Sequence, residues 1–171
     1  NNFSESYSFH DVVKEAGVQG FTEPDPKIDL SGVDVARKIL ILIRESGYQM
    51  DMEEIENNCF LPDECMKTTN NDDFFASLIN HEAHFNKLLN EAKEKDSRIK
   101  FVASFNNGKA AVGLQFIPKE SPFYNLEGKD NIVEFYTDRY VDQPLIIKGA
   151  GAGAAVTASG IFADVVRIGN V

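Results

Sequence analysis

The sequence predicts an α+β fold: a mixed, largely antiparallel sheet with helices on one face. Three observations lead there. Apolar residues recur at helical spacing in several separate segments. Two alternating runs flank Asn107-Gly108, the dipeptide that a tight hairpin turn favours. Two further strand-like runs follow before a last helical pattern.

The elements come in this order. Residues 8–16 form a short amphipathic helix, with Phe9, Val12, Val13 and Ala16 as its stripe. A turn covers residues 17–31. Pro24 and Pro26 fix φ there and push Glu23 and Asp25 toward extended backbone, and Gly32 lets the chain turn tightly. Ser31 is expected to cap the next helix, with Asp34 three residues on as its capping-box partner. That helix runs to about Ser46 and stops at Gly47. Its Lys38-Ile39-Leu40-Ile41-Leu42-Ile43 run is apolar all round, which predicts a buried helix.

Residues 54–60 read as a strand ended by Pro62. Residues 72–95 carry one long helical stripe of Phe74, Phe75, Leu78, Phe85, Leu88, Leu89 and Ala92. Residues 99–105 and 110–117 are the hairpin strands, and residues 131–136 and 144–148 are two more. Residues 149–153 form a glycine-rich turn, and residues 154–168 a closing helix. The hairpin and the long helix lie between two loops rich in Gly, Pro and Asp. They read as an inserted β-rich module flanked by two ligand-facing segments.

Composition narrows the function. The 171 residues fit a single domain over 1–171, and 43% hydrophobic residues suffice for a packed core. Thirteen Phe and no Trp fit an ordinary globular interior. A net charge of −10 argues against a nucleic-acid or anionic-membrane surface. No run reaches the ~18 apolar residues that a bilayer span needs. Cys59 and Cys65 are too few for a disulfide scaffold, so the expectation is reduced thiols and a cytoplasmic location. The chain lacks an initiator Met and a signal-peptide pattern, and its polar start reads like a piece cut from a longer chain.

Several side chains could carry chemistry. Glu23, Asp25, Asp29 and Asp34 surround one rigid turn and could hold a cation, either a metal or a substrate ammonium. Their spacing is not that of an EF-hand loop, and capping or Asx-turn work is the plainer reading for Asp29. Glu23, between Thr22 and Pro24, reads as a ligand contact. Lys38 shares a helix face with Asp34, so a proton-transferring amine and a simple ion pair both remain open.

The run Gly149-Ala150-Gly151-Ala152-Gly153 precedes a helix, where a ligand could approach closely and negative charge is favoured. Close helix packing explains it equally. His81-Glu82-Ala83-His84 is one residue short of a zinc motif and reads as a surface face, with no metal site expected. No Ser-His-Asp or Cys-His set stands out.

The segment from Gly20-Phe21-Thr22-Glu23-Pro24-Asp25-Pro26 through Asp29-Leu30-Ser31-Gly32-Val33-Asp34-Val35-Ala36-Arg37-Lys38 resembles the signature of homoserine dehydrogenases. Lys148-Gly149-Ala150-Gly151-Ala152-Gly153 through Thr157 and Gly160 is similar to that family's second motif. The resemblance covers essentially the whole chain, most like the dehydrogenase half of bifunctional aspartokinase/homoserine dehydrogenases. It implies NAD(P)-dependent interconversion of L-homoserine and L-aspartate 4-semialdehyde, on the route to threonine and methionine.

By that resemblance Glu23 holds the substrate amino group, with Thr22 and Asp34 also at the substrate. Asp34 orients Lys38, and Lys38 passes the proton to and from the reacting oxygen. Gly153, with Gly151, contacts the cofactor through its backbone. Phe21 stands where the family usually has Tyr, so any hydroxyl contact there is lost. The family's dinucleotide-binding domain, and a second lysine in it, lie outside this chain. The expectation is therefore a substrate-binding and dimerisation part that does not turn over alone. It would form a homodimer through the strands between residues 99 and 148. The alternative is a non-catalytic small-molecule-binding or dimerisation module. A metal-binding protein built on the acidic turn and His81/His84 ranks last.

Overall fold

Ser8 opens the first helix because its hydroxyl accepts the Asp11 N–H at 3.0 Å, replacing a backbone partner that helix starts lack. This helix, α1, runs Phe9–Val18, slightly longer than its apolar stripe suggests. The computed structural model describes residues 3, 6–128, 130–151 and 153–170. Part of the polar N-terminal segment, and Ala152 of the glycine run, fall outside them. The chain divides into two compact units, essentially Asn2–Glu120 and Ser121–Val171.

In the first unit, residues 17–31 are not all turn. Asp25 caps a one-turn helix α2 (Pro26–Leu30), with Pro26 at its first position. Helix α3 (Val33–Glu45) follows. Ser31 does not cap it. Ser31 closes α2 instead, and Gly32 starts α3 at φ 84°, so the Ser31–Asp34 capping box does not form. The substitute is forced by neighbours: a Cβ on Gly32 would sit 2.7 Å from the Phe101 ring and 2.9 Å from Asn57 Oδ1. Nor is α3 buried all round. Ala36, Leu40 and Ile43 are buried while Ile41 faces solvent, so the helix is amphipathic.

Strand β1 (Ile55–Asn58) leads to a short helix α4 (Asp63–Met66) that the sequence reading lacks. The long pattern over residues 72–95 is two helices, α5 (Asn71–Asn80) and α6 (Glu82–Glu94), broken at His81. Strands β2 (Ser97–Asn106) and β3 (Lys109–Pro118) form the hairpin, with Asn107 and Gly108 at φ 49° and 76° as a two-residue turn requires. β3 is central: β2 pairs with it antiparallel and β1 parallel. The hairpin is therefore not an insertion but shares a sheet with β1.

Two apolar cores form here. One packs Ala36, Leu40 and Ile43 of α3 against Ile55, Ala110 and Val112 of the sheet. The other joins Val13, Leu61, Cys65, Phe74, Leu78 and Phe85, with Phe9 stacked on Phe85 at 4.1 Å.

The second unit holds a two-stranded antiparallel sheet of β4 (Asp130–Thr137) and β5 (Tyr140–Ala150), then helix α7 (Ala154–Gly169). Gly149 and Ala150 end β5 rather than starting a turn. The α+β class holds, but as two small sheets instead of one.

Candidate active site

The acidic turn uses most of its carboxylates on itself. Asp25 accepts the Lys27 N–H at 3.0 Å as the cap of α2. Asp29, one turn later, reaches back and accepts the Glu23 N–H at 2.9 Å. That bond is a loop staple rather than a cap, and it keeps Asp29 in a structural role. Asp34 lies 2.8 Å from the Lys38 amine. Glu23 is exposed, and its carboxylate has no partner among the described residues. Thr22 is half-buried beside Gly17.

Supports for this turn come from far along the chain. Asn71 Nδ2 donates to the Pro24 carbonyl at 2.8 Å. Lys27, with a side chain only 14% exposed, donates from Nζ to the Thr68 carbonyl at 2.6 Å. Asn57 Nδ2 donates to the Ser31 carbonyl at 2.9 Å, beside the Gly32 bend. The sequence reading misses all three. No local spacing signals them, because Asn71 lies 47 residues from its partner.

Helix α3 carries Asp34 in its first turn and Lys38 one turn on, the spacing that lets them meet. The pair is open to water: the side chains are 45% and 54% exposed. A carboxylate so placed pairs with the lysine amine and holds it on that face of the helix. No hydrogen bond or ion pair joins Glu23 to this pair among the described residues. Two open clefts lie elsewhere, of about 640 Å³ beside Arg44 and Tyr48 and about 350 Å³ beside Phe60 and Leu88.

The glycines of the second motif have separate physical reasons. A Cβ on Gly151 would fall inside the Asn131 side chain. Gly153 sits at φ 124° as the exposed start of α7, a conformation that favours glycine. Its carbonyl accepts the Thr157 N–H at 3.1 Å. The run follows an antiparallel strand, not the first strand of a βαβ unit. It therefore fits a dinucleotide only as a helix start near an anionic group, not as the whole cradle.

His81 and His84 are tied into the scaffold. His81 Nδ1 meets the Ser77 carbonyl at 2.9 Å, and His84 Nε2 meets the Phe60 carbonyl at 2.9 Å. Among the described residues no three metal-ligating side chains gather. Both cysteines are free; Cys65 is buried, and burial pushes its thiol up from the ordinary value.

Comparison with known proteins adds the family. A family model for homoserine dehydrogenase matches residues 1–166. The chain is 42% identical, over 172 aligned positions, to a chloroplastic bifunctional aspartokinase/homoserine dehydrogenase 2 of Arabidopsis thaliana, covering 99% of this chain and 19% of that protein. It is 40% identical to a homoserine dehydrogenase of Schizosaccharomyces pombe, over 94% of this chain and 44% of that one. A crystal structure of a Candida auris protein of unknown function superposes with a TM-score of 0.86 at 34% identity, over 99% of this chain and 48% of that chain. The chain thus spans less than half the length of these relatives.

Proposed function

Because the chain belongs to the homoserine dehydrogenase family, we propose that it is the substrate-binding and dimerisation part of an oxidoreductase interconverting L-homoserine and L-aspartate 4-semialdehyde. One observation carries the reading. Of the four carboxylates at the turn and helix start, three are engaged internally, and Glu23 alone offers a carboxylate on a stapled backbone. A substrate ammonium suits that group, because a carboxylate carried on a held backbone binds it without first losing backbone freedom.

Asp34 aims Lys38. The lysine gives its proton to the aldehyde oxygen as that carbon is reduced to the alcohol, and takes it back in the reverse direction. NAD(P), when bound, supplies and accepts the hydride. Gly153, with Gly151 behind it, lets that ligand approach the start of α7, and the rest of the cradle belongs to another part of the protein. The choice between NAD and NADP lies with that part. The 171 residues alone are expected not to turn over.

The working unit is a homodimer. Its support is the β4–β5 ribbon, where Tyr136, Val141, Leu145, Ile146 and Ile147 stand exposed on a two-stranded sheet too small to be stable by itself. Two free thiols support a reducing compartment, and we assign the cytoplasm. No helix among the described residues is long and apolar enough to cross a membrane.

The test is homoserine-dependent NADP reduction by the full-length protein carrying this chain, wild type against Lys38→Ala. Turnover is expected to fall by roughly 10²–10⁴-fold, the range for losing a general acid, with homoserine binding little changed. Unchanged turnover would remove Lys38 from proton transfer and favour a non-catalytic binding module.

A further inference from the structure

We propose that Asn71 is a positioning residue for Glu23, acting through the Pro24 carbonyl from outside the signature segment. The proposal rests on the reading of Glu23 as the carboxylate that holds the substrate ammonium. Glu23 is exposed, so nothing packed around its side chain fixes where its carboxylate points. What is fixed is its backbone, from both sides. Its own N–H donates to Asp29 at 2.9 Å. The carbonyl of the next residue, Pro24, accepts from Asn71 Nδ2 at 2.8 Å.

The two anchors differ in what they refer to. Asp29 belongs to the same turn, so that staple moves with the turn. Asn71 is the first residue of α5, whose Phe74 and Leu78 are fully buried in the second core. Its bond therefore ties the backbone beside Glu23 to the rest of the unit. The segment that presents Asn71 is itself held. Thr68 Oγ1 donates to the Cys65 carbonyl at 2.8 Å, and Asn70 accepts the Asp73 N–H at 2.8 Å to cap α5.

Lys27 makes a parallel link to Thr68. Its side chain is mostly buried and paired with Asp25, so removing it would disturb the fold. Asn71 is exposed and sits at a helix start, where a substitution is tolerated. Its loss would displace Glu23 and leave the fold in place.

The experiment measures homoserine KM and kcat in the full-length protein for Asn71→Ala, Asn71→Asp, Glu23→Ala and the Glu23→Ala/Asn71→Ala double variant. Asn71→Asp keeps the shape and an acceptable helix start but removes the donor. Both Asn71 variants are expected to raise homoserine KM about five- to tenfold, the worth of one side chain–backbone hydrogen bond. kcat and melting temperature should be nearly unchanged. The double variant should match Glu23→Ala alone, because Asn71 acts only through Glu23. Additive effects in the double variant would make Asn71 merely structural and overturn the proposal. So would an unchanged KM in the Asn71 variants while Glu23→Ala raises it. An unchanged KM in Glu23→Ala itself would overturn the reading of Glu23, and this proposal with it.

Discussion

Asn2–Glu120 and Ser121–Val171 both carry long apolar runs, yet only the first buries them. Among the described residues, every buried apolar side chain, from Val13 to Ile117, lies in the first region. In the second no described residue is buried, and Ile161, Phe162, Val165 and Ile168 of α7 are all more than half exposed. The sheets differ in the same way. The face of the three-stranded sheet bearing Ala110 and Val112 is covered by α3, while β4 is at most half-buried and β5 is mostly exposed. An apolar pattern says which side chains favour burial, not what will cover them. The first region buries its apolar side chains itself, and the second leaves its own exposed or half-buried.

The sharpest way to break this contrast is to cut both regions equally. Phe85→Ala empties a site that is 1% exposed and is expected to cost about 3–5 kcal/mol in urea unfolding. Phe162→Ala, in α7, should cost under about 0.5 kcal/mol in the 171-residue chain. Equal losses would put α7 in a core of its own. Next comes backbone. Gly32→Ala is expected to cost roughly 1–3 kcal/mol, because it strains a left-handed φ and meets Phe101. Gly149→Ala, with open space around it, should be near neutral. A neutral Gly32→Ala would mean that the sheet gives way to α3.

Ile147→Glu sharpens the second half. It should leave the isolated chain's stability unchanged and turn the proposed full-length homodimer into a monomer in light scattering. A dimer that persists would move the interface off β5. The smallest effect is in pH. Burial holds the Cys65 thiol above its ordinary 9.0, so the folded state keeps a proton that the unfolded chain has lost. That stability is whole below pH 9 and declines as pH rises beyond it. Urea midpoints above about pH 9 should fall for the wild type and flatten in Cys65→Ala, by less than about 1 kcal/mol. A wild-type curve as flat as the variant's would remove Cys65 from the high-pH limb.

What was legible in the sequence was local. Asn107-Gly108 named its turn, and Gly47 marked the end of α3. The break at His81 was hidden, because Leu78 and Phe85 are seven residues apart and keep the stripe in phase across it. Ser31 looked like a cap because the rivals that favour Gly32, Phe101 and Asn57, arrive from distant strands. At the site, the motif pointed to Glu23, Asp34 and Lys38 and showed that Asp34 and Lys38 could meet. It could not show that Asp29 folds back on Glu23, or that Lys27 and Asn71 tie the turn to a segment some forty residues on. Those bonds depend on tertiary contact.

The parallel pairing of β1 with β3 also sets an order in time. The β2–β3 hairpin closes on itself across two residues, on the scale of about 1–10 μs. β1 must wait, because Ile55 pairs with Ala110 only after a loop of ~55 residues has closed. Asn57 rides on that late strand and grips the Ser31 carbonyl. The hairpin is thus expected to act as the template, and the Asn57 hold on the Ser31 carbonyl to form after it, once β1 has docked.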